Sequence, residues 1–530
     1  MRALVTNPSR SDVIARWLPR TTSLPGLLYA VLIASAACYL VAFVVVAVLR
    51  LSYPFPLEIT EGAVLRGVER VLHGQALYVP PTLEHVPYIY GPVYFYLSAA
   101  VASATGASYL PLRLVSLAAS MGSLALIARL VQRETGSSAA GVVAAGLLAA
   151  TFPLAQTSLD LGRVDAVFVF FLVAGVYLAR AGSQPARSSW FMAAASGCCI
   201  ALAGLTKVPM GAAPVALALG LYVLVTGRGQ VLGFVLGLVL PLAAVVLLLR
   251  AQSGPWPTWY LWDLPRQHEI RESLLGRFWF TDVLPRFSLP LLLGPVYVLC
   301  RGLDRDWRPL LLYGLTSLSF IGLAWPSRAS SGGALNVLLP AFALMALLLG
   351  LGFHATLGQI GRASARAQAF RGYVLGACIV QFALLAYNPR LTVPYLSDQW
   401  ADERLVARLA DLPGPVFAPD LDGYLRGSSR PDTGEQPHNG AVEEIMGGYG
   451  GSITEEGLRW RAELTNAFSQ HRFRSIVLFE VEDECCGLRK PVLASGYRDA
   501  GPLFAAGDDF FRWKTTHGHT PEVHLYVAPE

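Results

Sequence analysis

Charge is scarce in this chain: Asp, Glu, Lys and Arg supply 15% of 530 residues, against about 25% in an ordinary soluble domain. Hydrophobic residues supply 54%, and that balance belongs to a polytopic membrane protein. The net charge of +5 is small and most arginines flank apolar stretches, so no nucleic-acid partner is indicated and the excess reads as membrane topology. Cysteine is scarce too. Of the seven, Cys38, Cys198, Cys199, Cys300 and Cys378 fall in apolar stretches as small packing residues. The neighbours Cys485 and Cys486 have neither zinc-site nor redox-motif spacing, so a disulfide framework is excluded. Internal repeats, low-complexity tracts and a secretory cleavage pattern are also lacking. Met1 to Arg20 is polar, with Arg2, Arg10, Arg16 and Arg20 preceding a stretch long enough to span a bilayer. The first helix is therefore expected to be a retained anchor with its amino end in the cytoplasm.

What is present is a series of twelve apolar stretches: 27–49, 92–105, 110–131, 138–156, 164–181, 190–205, 208–226, 230–250, 288–301, 309–325, 335–353 and 372–388. The second is short for a crossing. Counted as a full span, it puts Arg129, Arg133, Arg180, Arg187, Arg228, Arg362, Arg366 and Arg371 outside, against the preference of basic loops for the cytoplasm. Taken as a segment that dips in and returns, or lies on the surface, it moves all of them inside together with Arg301, Arg305 and Arg308. The same choice collects the loop 50–91, Arg163, Asp165, Lys207, the Trp-rich loop 251–287 and the carboxyl-terminal region on the outer face. The expected organisation is a cytoplasmic segment 1–26, a transmembrane domain 27–389 of about 11–13 helices, and a soluble extracytoplasmic mixed α/β domain 390–530. Helix patterns near 402–412 and 455–470 and strand patterns at 415–418, 475–480 and 523–527 support the last part.

The first loop carries the chemistry. Glu58 and Glu61 follow the first span closely, and ionisable groups at that depth are costly enough to mark function. Glu61-Gly62 opens an amphipathic stretch with Val64, Val68, Val71 and Leu72 on one face, expected to lie flat on the outer membrane surface. Pro87-Tyr88-Ile89-Tyr90-Gly91-Pro92-Val93-Tyr94-Phe95-Tyr96 follows, an aromatic cluster suited to an interface belt. Further outer-face candidates are Arg163 with Asp165, Lys207, Arg266, His268 and Arg328, and the loop Trp256-Pro257-Thr258-Trp259-Tyr260-Leu261-Trp262. Each has a plainer reading: Arg163 and Asp165 as a helix cap, Lys207 snorkelling at the helix break before Pro209, the aromatics as interface anchors and His85, beside Glu84, as an ordinary polar residue.

In order along the chain stand an acid-Gly pair after the first span, Gly74-Gln75-Ala76-Leu77-Tyr78, Tyr90-Gly91-Pro92-Val93-Tyr94 and Leu112-Arg113-Leu114-Val115-Ser116. Leu161-Gly162-Arg163-Val164-Asp165, Gly204-Leu205-Thr206-Lys207 and Ser331-Gly332-Gly333-Ala334-Leu335-Asn336-Val337-Leu338-Leu339-Pro340 follow. This order resembles the GT-C integral membrane glycosyltransferases, in the branch of the protein mannosyltransferases and the lipid A aminoarabinose transferase. One departure stands out: many members carry Asp-Glu or another Asp-containing pair in the first loop, where this chain has Thr60-Glu61 with Glu58 nearby. The resemblance implies inverting transfer of a sugar from a polyprenyl-phosphate donor to a glycan, lipid or protein acceptor on the outer face of the inner (plasma) membrane.

Such a reaction asks for a carboxylate to take the acceptor proton and for cations to receive the leaving phosphate. Glu61 is the expected base, with Glu58 and Asp165 as further acids. Arg163, Lys207, Arg266 and Arg328 are expected at the donor phosphate. Tyr88, Tyr90, His85, Trp259 and His268 are expected at the acceptor or sugar. No ligand spacing announces a metal, although the resemblance leaves a divalent ion such as magnesium or manganese open. A flippase of lipid-linked saccharides and a catalytically inactive scaffold are the alternative readings.

Overall fold

The computed structural model describes residues 23–183, 188–361, 364–426, 436–480, 488–504 and 522–529. Arg2, Arg10, Arg16, Arg20, Arg187, Arg362, Cys485 and Cys486 lie outside the described residues. Every apolar stretch read from the sequence is helical. In chain order the helices are α1 Leu24–Leu51, α2 Thr60–Leu72, α3 Pro92–Thr105, α4 Tyr109–Thr135, α5 Ser138–Ala150, α6 Asp165–Gly182 and α7 Ser189–Gly204. There follow α8 Pro209–Thr226, α9 Val231–Ser253, α10 Leu284–Leu303, α11 Trp307–Ala329, α12 Leu339–Gln359 and α13 Ala365–Ala383. Among the described residues, eight helical segments are long and apolar enough to cross a membrane, so the chain is a multi-span membrane protein. The 14 residues of α3 reach only about 21 Å, short of a hydrocarbon core about 30 Å thick.

Position in the bundle follows side-chain pattern. Helix α12 is apolar all round and buried continuously from Leu339 to Phe353, as a helix ringed by others must be. Helices α1 and α9 keep Val41, Val45, Val48, Leu240, Leu247 and Leu248 exposed, which suits a face whose solvent is lipid. Helix α6 has Asp165 at its start and Arg180 in its last turn, about 22 Å apart at the helical rise. At the Arg180 end, Glu134 accepts from Arg180 Nε at 2.6 Å and Nη2 at 3.2 Å, Arg301 donates to the Glu134 carbonyl at 2.5 Å, and Arg308 to the Ser183 carbonyl at 3.2 Å. Arginines thus gather at the end of the bundle remote from Asp165.

The carboxyl-terminal region contains α14 Leu396–Ala410, α15 Asp422–Leu425, α16 Asn439–Ile445, α17 Glu455–Ser469 and α18 Arg489–Ala494 around a four-stranded sheet. The strands are β1 Val416–Phe417, β2 Ser475–Glu480, β3 Arg498–Pro502 and β4 Glu522–Val527, in the order β1-β2-β4-β3. β1 runs parallel to β2, and both other pairings are antiparallel. β3 has no apolar alternation, holds Gly501 and Pro502, and occupies a sheet edge, where sequence pattern gives least warning.

This region is joined to the first loop by one hydrophobic core. Val64, Leu65, Val68, Tyr78 and Phe95 share it with Ile445, Trp460, Phe468 and Ile476. The apolar face of α2 is therefore spent on protein, packing against α3 and α15, and is not available to lie on the membrane as its amphipathic pattern suggested. Amphipathicity reports that a face is buried and is silent on what buries it.

Candidate active site

Glu61 is wholly buried and wholly engaged. Its two oxygens accept from Arg113 Nε at 3.0 Å, Arg113 Nη2 at 2.7 Å, the Leu57 amide at 2.7 Å and the Gly162 amide at 2.6 Å. Four donors fill its acceptor sites. Burial works against its charged form, but the Arg113 charge and hydrogen bonds and the two amides outweigh that and hold the carboxyl below its usual range. Arg113 is equally saturated: its remaining donors reach the carbonyls of Arg50 at 3.1 Å, Tyr53 at 2.6 Å and Phe55 at 2.7 Å. This pair ties the first loop to the start of α4 and leaves Glu61 no free lone pair for an acceptor hydroxyl. Beside it, Arg50 Nε meets Asp160 Oδ2 at 2.8 Å, and burial pushes the Asp160 carboxyl up to about 6 despite the Arg50 charge.

Glu58 is placed differently. Its side chain keeps 16% exposure. Oε2 accepts from the Thr60 amide at 2.9 Å and Oε1 from the Thr60 hydroxyl at 2.9 Å. Oε1 also faces Arg163 Nη1 at 3.4 Å, and Arg163 Nε in turn faces Asp165 Oδ2 at 3.3 Å. Asp165 Oδ1 accepts from Lys207 Nζ at 2.7 Å and Asn336 Nδ2 at 2.8 Å. The result is a row of alternating sign, Glu58–Arg163–Asp165–Lys207. Its last member opens on a fissure of about 40 Å³ between α6, α8 and α11, lined by Phe168, Val208, Gly211, Leu323 and Val337. The row thus runs from the first loop to a fissure with a mainly apolar lining.

The backbone frames this row. Gly91 and Val93 amides donate to the carbonyls of Lys207 at 2.8 Å and Leu205 at 3.1 Å. A Cβ on Gly91 would collide with the Leu205 carbonyl, so only glycine permits the approach. Ser116 donates to the Arg163 carbonyl at 3.2 Å, and the Tyr94 hydroxyl to the Leu112 carbonyl at 2.8 Å. Tyr90 lies beside the row, its hydroxyl accepting from Arg163 Nη2 at 3.5 Å, and burial raises its pKa to about 12. The Tyr88 ring lies tilted at 44° to that of Tyr90, with centroids 4.8 Å apart.

The other expected residues lie apart from the row. Arg328 is paired to Asp282 at 2.9 Å and to the Gly333 carbonyl at 3.1 Å. Arg266 is exposed over the Trp262 ring at 5.7 Å. Trp259 packs edge-on against Tyr260 and Trp256 within the shared core. His268 is bound to Glu444 of α16 at 2.7 Å. His85 is buried on a small cavity with Arg66, Tyr88, Asp422 and His438, and burial, followed by the charges of Arg70 and Arg66, lowers its pKa to about 3. It is a neutral imidazole.

Arg113 and Asn336 are the residues that sequence reasoning passed over. Both stood inside quoted motifs, and for Arg113 the signal was there: a charge within an apolar helix needs a buried partner. Among the described residues no three His, Cys, Asp or Glu side chains converge as metal ligands. The guanidinium of Arg163 stands between Glu58 and Asp165 where a cation joining them would sit, so the row does not fit a divalent ion.

A sequence model of the dolichyl-phosphate-mannose-protein mannosyltransferase family matches residues 86–256. No curated protein sequence matches the chain. Among solved structures it is similar to ArnT from Cupriavidus metallidurans in the apo state, with 13% identity, a TM-score of 0.59 and coverage of 94% of this chain and 98% of that one. The same protein bound to undecaprenyl phosphate matches with 13% identity and a TM-score of 0.57, over 94% of this chain and 99% of the other. The archaeal oligosaccharyltransferase AglB from Archaeoglobus fulgidus, in complex with an inhibitory peptide and a dolichol-phosphate, matches with 13% identity and a TM-score of 0.52, over 88% of this chain and 73% of that one. Likeness at this identity concerns architecture, and the architecture of this chain is the GT-C glycosyltransferase fold.

Proposed function

We propose that this protein transfers a sugar from a polyprenyl-phosphate donor to a hydroxyl of a glycan, lipid or protein acceptor, with Glu58 as the general base. The observation that carries the reading is the row Glu58–Arg163–Asp165–Lys207 ending in an apolar fissure. The bound undecaprenyl phosphate of ArnT and dolichol-phosphate of AglB support a donor of the same class. Glu58 takes the acceptor proton, the acceptor oxygen attacks the anomeric carbon from the face opposite the phosphate, and the bond from that carbon to the phosphate oxygen breaks, inverting the centre. The negative charge that grows on the departing polyprenyl phosphate is received by Lys207 and Arg163. Asp165, which also accepts from Asn336, keeps Lys207 in place. No step is assigned to a metal.

Glu58 is preferred over Glu61 because only Glu58 retains acceptor capacity and exposure. Its two bonds from Thr60 hold a carboxylate in the first loop where the sequence carries Thr60 in place of the Asp of many resembling proteins. The arginines at the far end of α6 support a site on the extracytoplasmic face of the inner membrane, with the amino end in the cytoplasm.

The test is transfer in detergent, with no second compartment, from a panel of polyprenyl-phosphate sugars, which separates an enzyme from a flippase. Lipid-linked glycans accumulating in a deletion strain identify the donor to include. Glu58→Gln is expected to lower kcat by roughly 10² to 10⁴ while the protein remains inserted. Undiminished kcat in that variant removes Glu58 from the mechanism.

A further inference from the structure

A side chain of the carboxyl-terminal region, His438, reaches the turn that carries Glu58. His438 is the N-cap of α16: its Nδ1 accepts from the Gly440 amide at 3.0 Å. An imidazole nitrogen that accepts bears no proton, so the neutral ring carries its proton on Nε2. That nitrogen lies 3.1 Å from the carbonyl of Ile59, the residue between Glu58 and Thr60, and donates to it. His438 is almost fully buried, its ring edge-on to Tyr88 at 5.9 Å, while the Tyr88 hydroxyl lies 3.0 Å from where a Cβ on Gly440 would be. A second contact fixes the same stretch: a Cβ on Gly62 would meet Asp422 Oδ1 at 2.9 Å and the Gly423 backbone at 3.2 Å. Helix α15 and the N-cap of α16 thus both contact the stretch 59–62.

We infer that His438 is a positioning residue supplied by the carboxyl-terminal region, holding the Ile59 peptide so that the Glu58 carboxylate keeps its place between Thr60 and Arg163. The inference rests on the reading of Glu58 as the base. It gives the carboxyl-terminal region a part in the reaction: seating α16 on the first loop sets the base, and unseating it releases the base.

The two ring nitrogens have separate jobs, and two amide side chains separate them. His438→Asn keeps an acceptor near the Nδ1 position and can cap α16, but is too short to reach Ile59. His438→Gln places a donor near the Nε2 position and can hold Ile59, but gives up the cap. In full-length protein, assayed with the polyprenyl-phosphate donor that wild type uses, His438→Asn is expected to lose roughly ten- to a hundredfold in kcat with KM and thermal midpoint held. His438→Gln is expected to keep kcat and to lower the midpoint. Tyr497→Phe is the control, because the Tyr497 hydroxyl donates to the Phe473 carbonyl at 2.6 Å in the same region, a bond that involves neither α16 nor the first loop. It should lower the midpoint and leave kcat alone. Wild-type kcat in His438→Asn, or activity that tracks thermal midpoint across all three variants, overturns the inference. Full activity in Glu58→Gln overturns the underlying reading instead, so the two failures are distinguishable.

Discussion

Two glutamates three residues apart in the first loop meet opposite fates. Glu61 and Arg113 form a closed knot in which both carboxylate oxygens and all five guanidinium donors are bonded inside the protein. Glu58 and Arg163 form an open row, with a carboxylate held by one neighbouring residue, partly exposed, and a guanidinium shared between two acids. A saturated ion pair has nothing left to offer a substrate, and an unsaturated one does. The difference teaches that charge in an apolar protein marks function only when its bonding capacity is incomplete.

The sharpest way to break this contrast is to remove one member of the closed knot. Arg113→Met leaves Glu61 as an uncompensated buried charge and should cost about 3–5 kcal/mol, read as thermal or denaturant unfolding in detergent. Adding Glu61→Gln to that variant should recover much of the loss, because no charge then remains to be paired. If Arg113→Met is as stable as wild type, the knot is not a staple. The open row should respond in the other currency. Glu58→Gln should lower kcat by roughly 10² to 10⁴ and cost less stability than Arg113→Met, since the Glu58–Arg163 contact is longer and Arg163 keeps Asp165 as a second partner. Equal losses of stability in Glu58→Gln and Arg113→Met would erase the distinction.

A third outcome concerns a buried acid that lacks such a knot. Burial raises the Asp420 carboxyl from 3.8 to about 6, against the pull of His438. A raised acid pKa favours the protonated folded state, so the contribution is full below pH 3.8 and is lost as pH rises through about 6. At about 1.4 kcal/mol per pH unit this amounts to about 3 kcal/mol. Asp420→Asn should therefore flatten the stability profile between pH 4 and 6; an unchanged slope would show that other groups set it. Smaller again is Lys207→Met, which removes a charged hydrogen bond worth about 1.5–3 kcal/mol and should lower kcat/KM for the lipid-linked donor by about ten- to a hundredfold. Unchanged kcat/KM would move the phosphate away from Lys207. The least effect belongs to Arg472→Ala. The Arg472–Glu84 pair is about half exposed on both sides, and such pairs contribute about 1 kcal/mol or less.

Much of the architecture was legible. Runs such as 110–131 and 208–226 are long and apolar for the single reason that a bilayer demands it, and they fold as α4 and α8. The motif order brought Arg163, Asp165 and Lys207 onto one row, because these residues end or begin helices whose lengths are fixed by the same bilayer. The bonding of Glu61 was not legible from its place before Gly62, since adjacency along the chain cannot reveal that Arg113, 52 residues away, fills its lone pairs. The fate of the apolar face of α2 was hidden for the same reason: Val64, Leu65 and Val68 would suit lipid or protein alike, and the partner, the core around Trp460 and Phe468, is remote in sequence.

The sequence by itself determined that this is a multi-span membrane protein with a carboxyl-terminal α/β part, because apolar length and polar composition are local properties of a chain. Tertiary structure alone decided which glutamate is closed and which is open, and that His438 reaches the turn between them. Bonding capacity is used up by contacts through space, and no local pattern records how much of it is left.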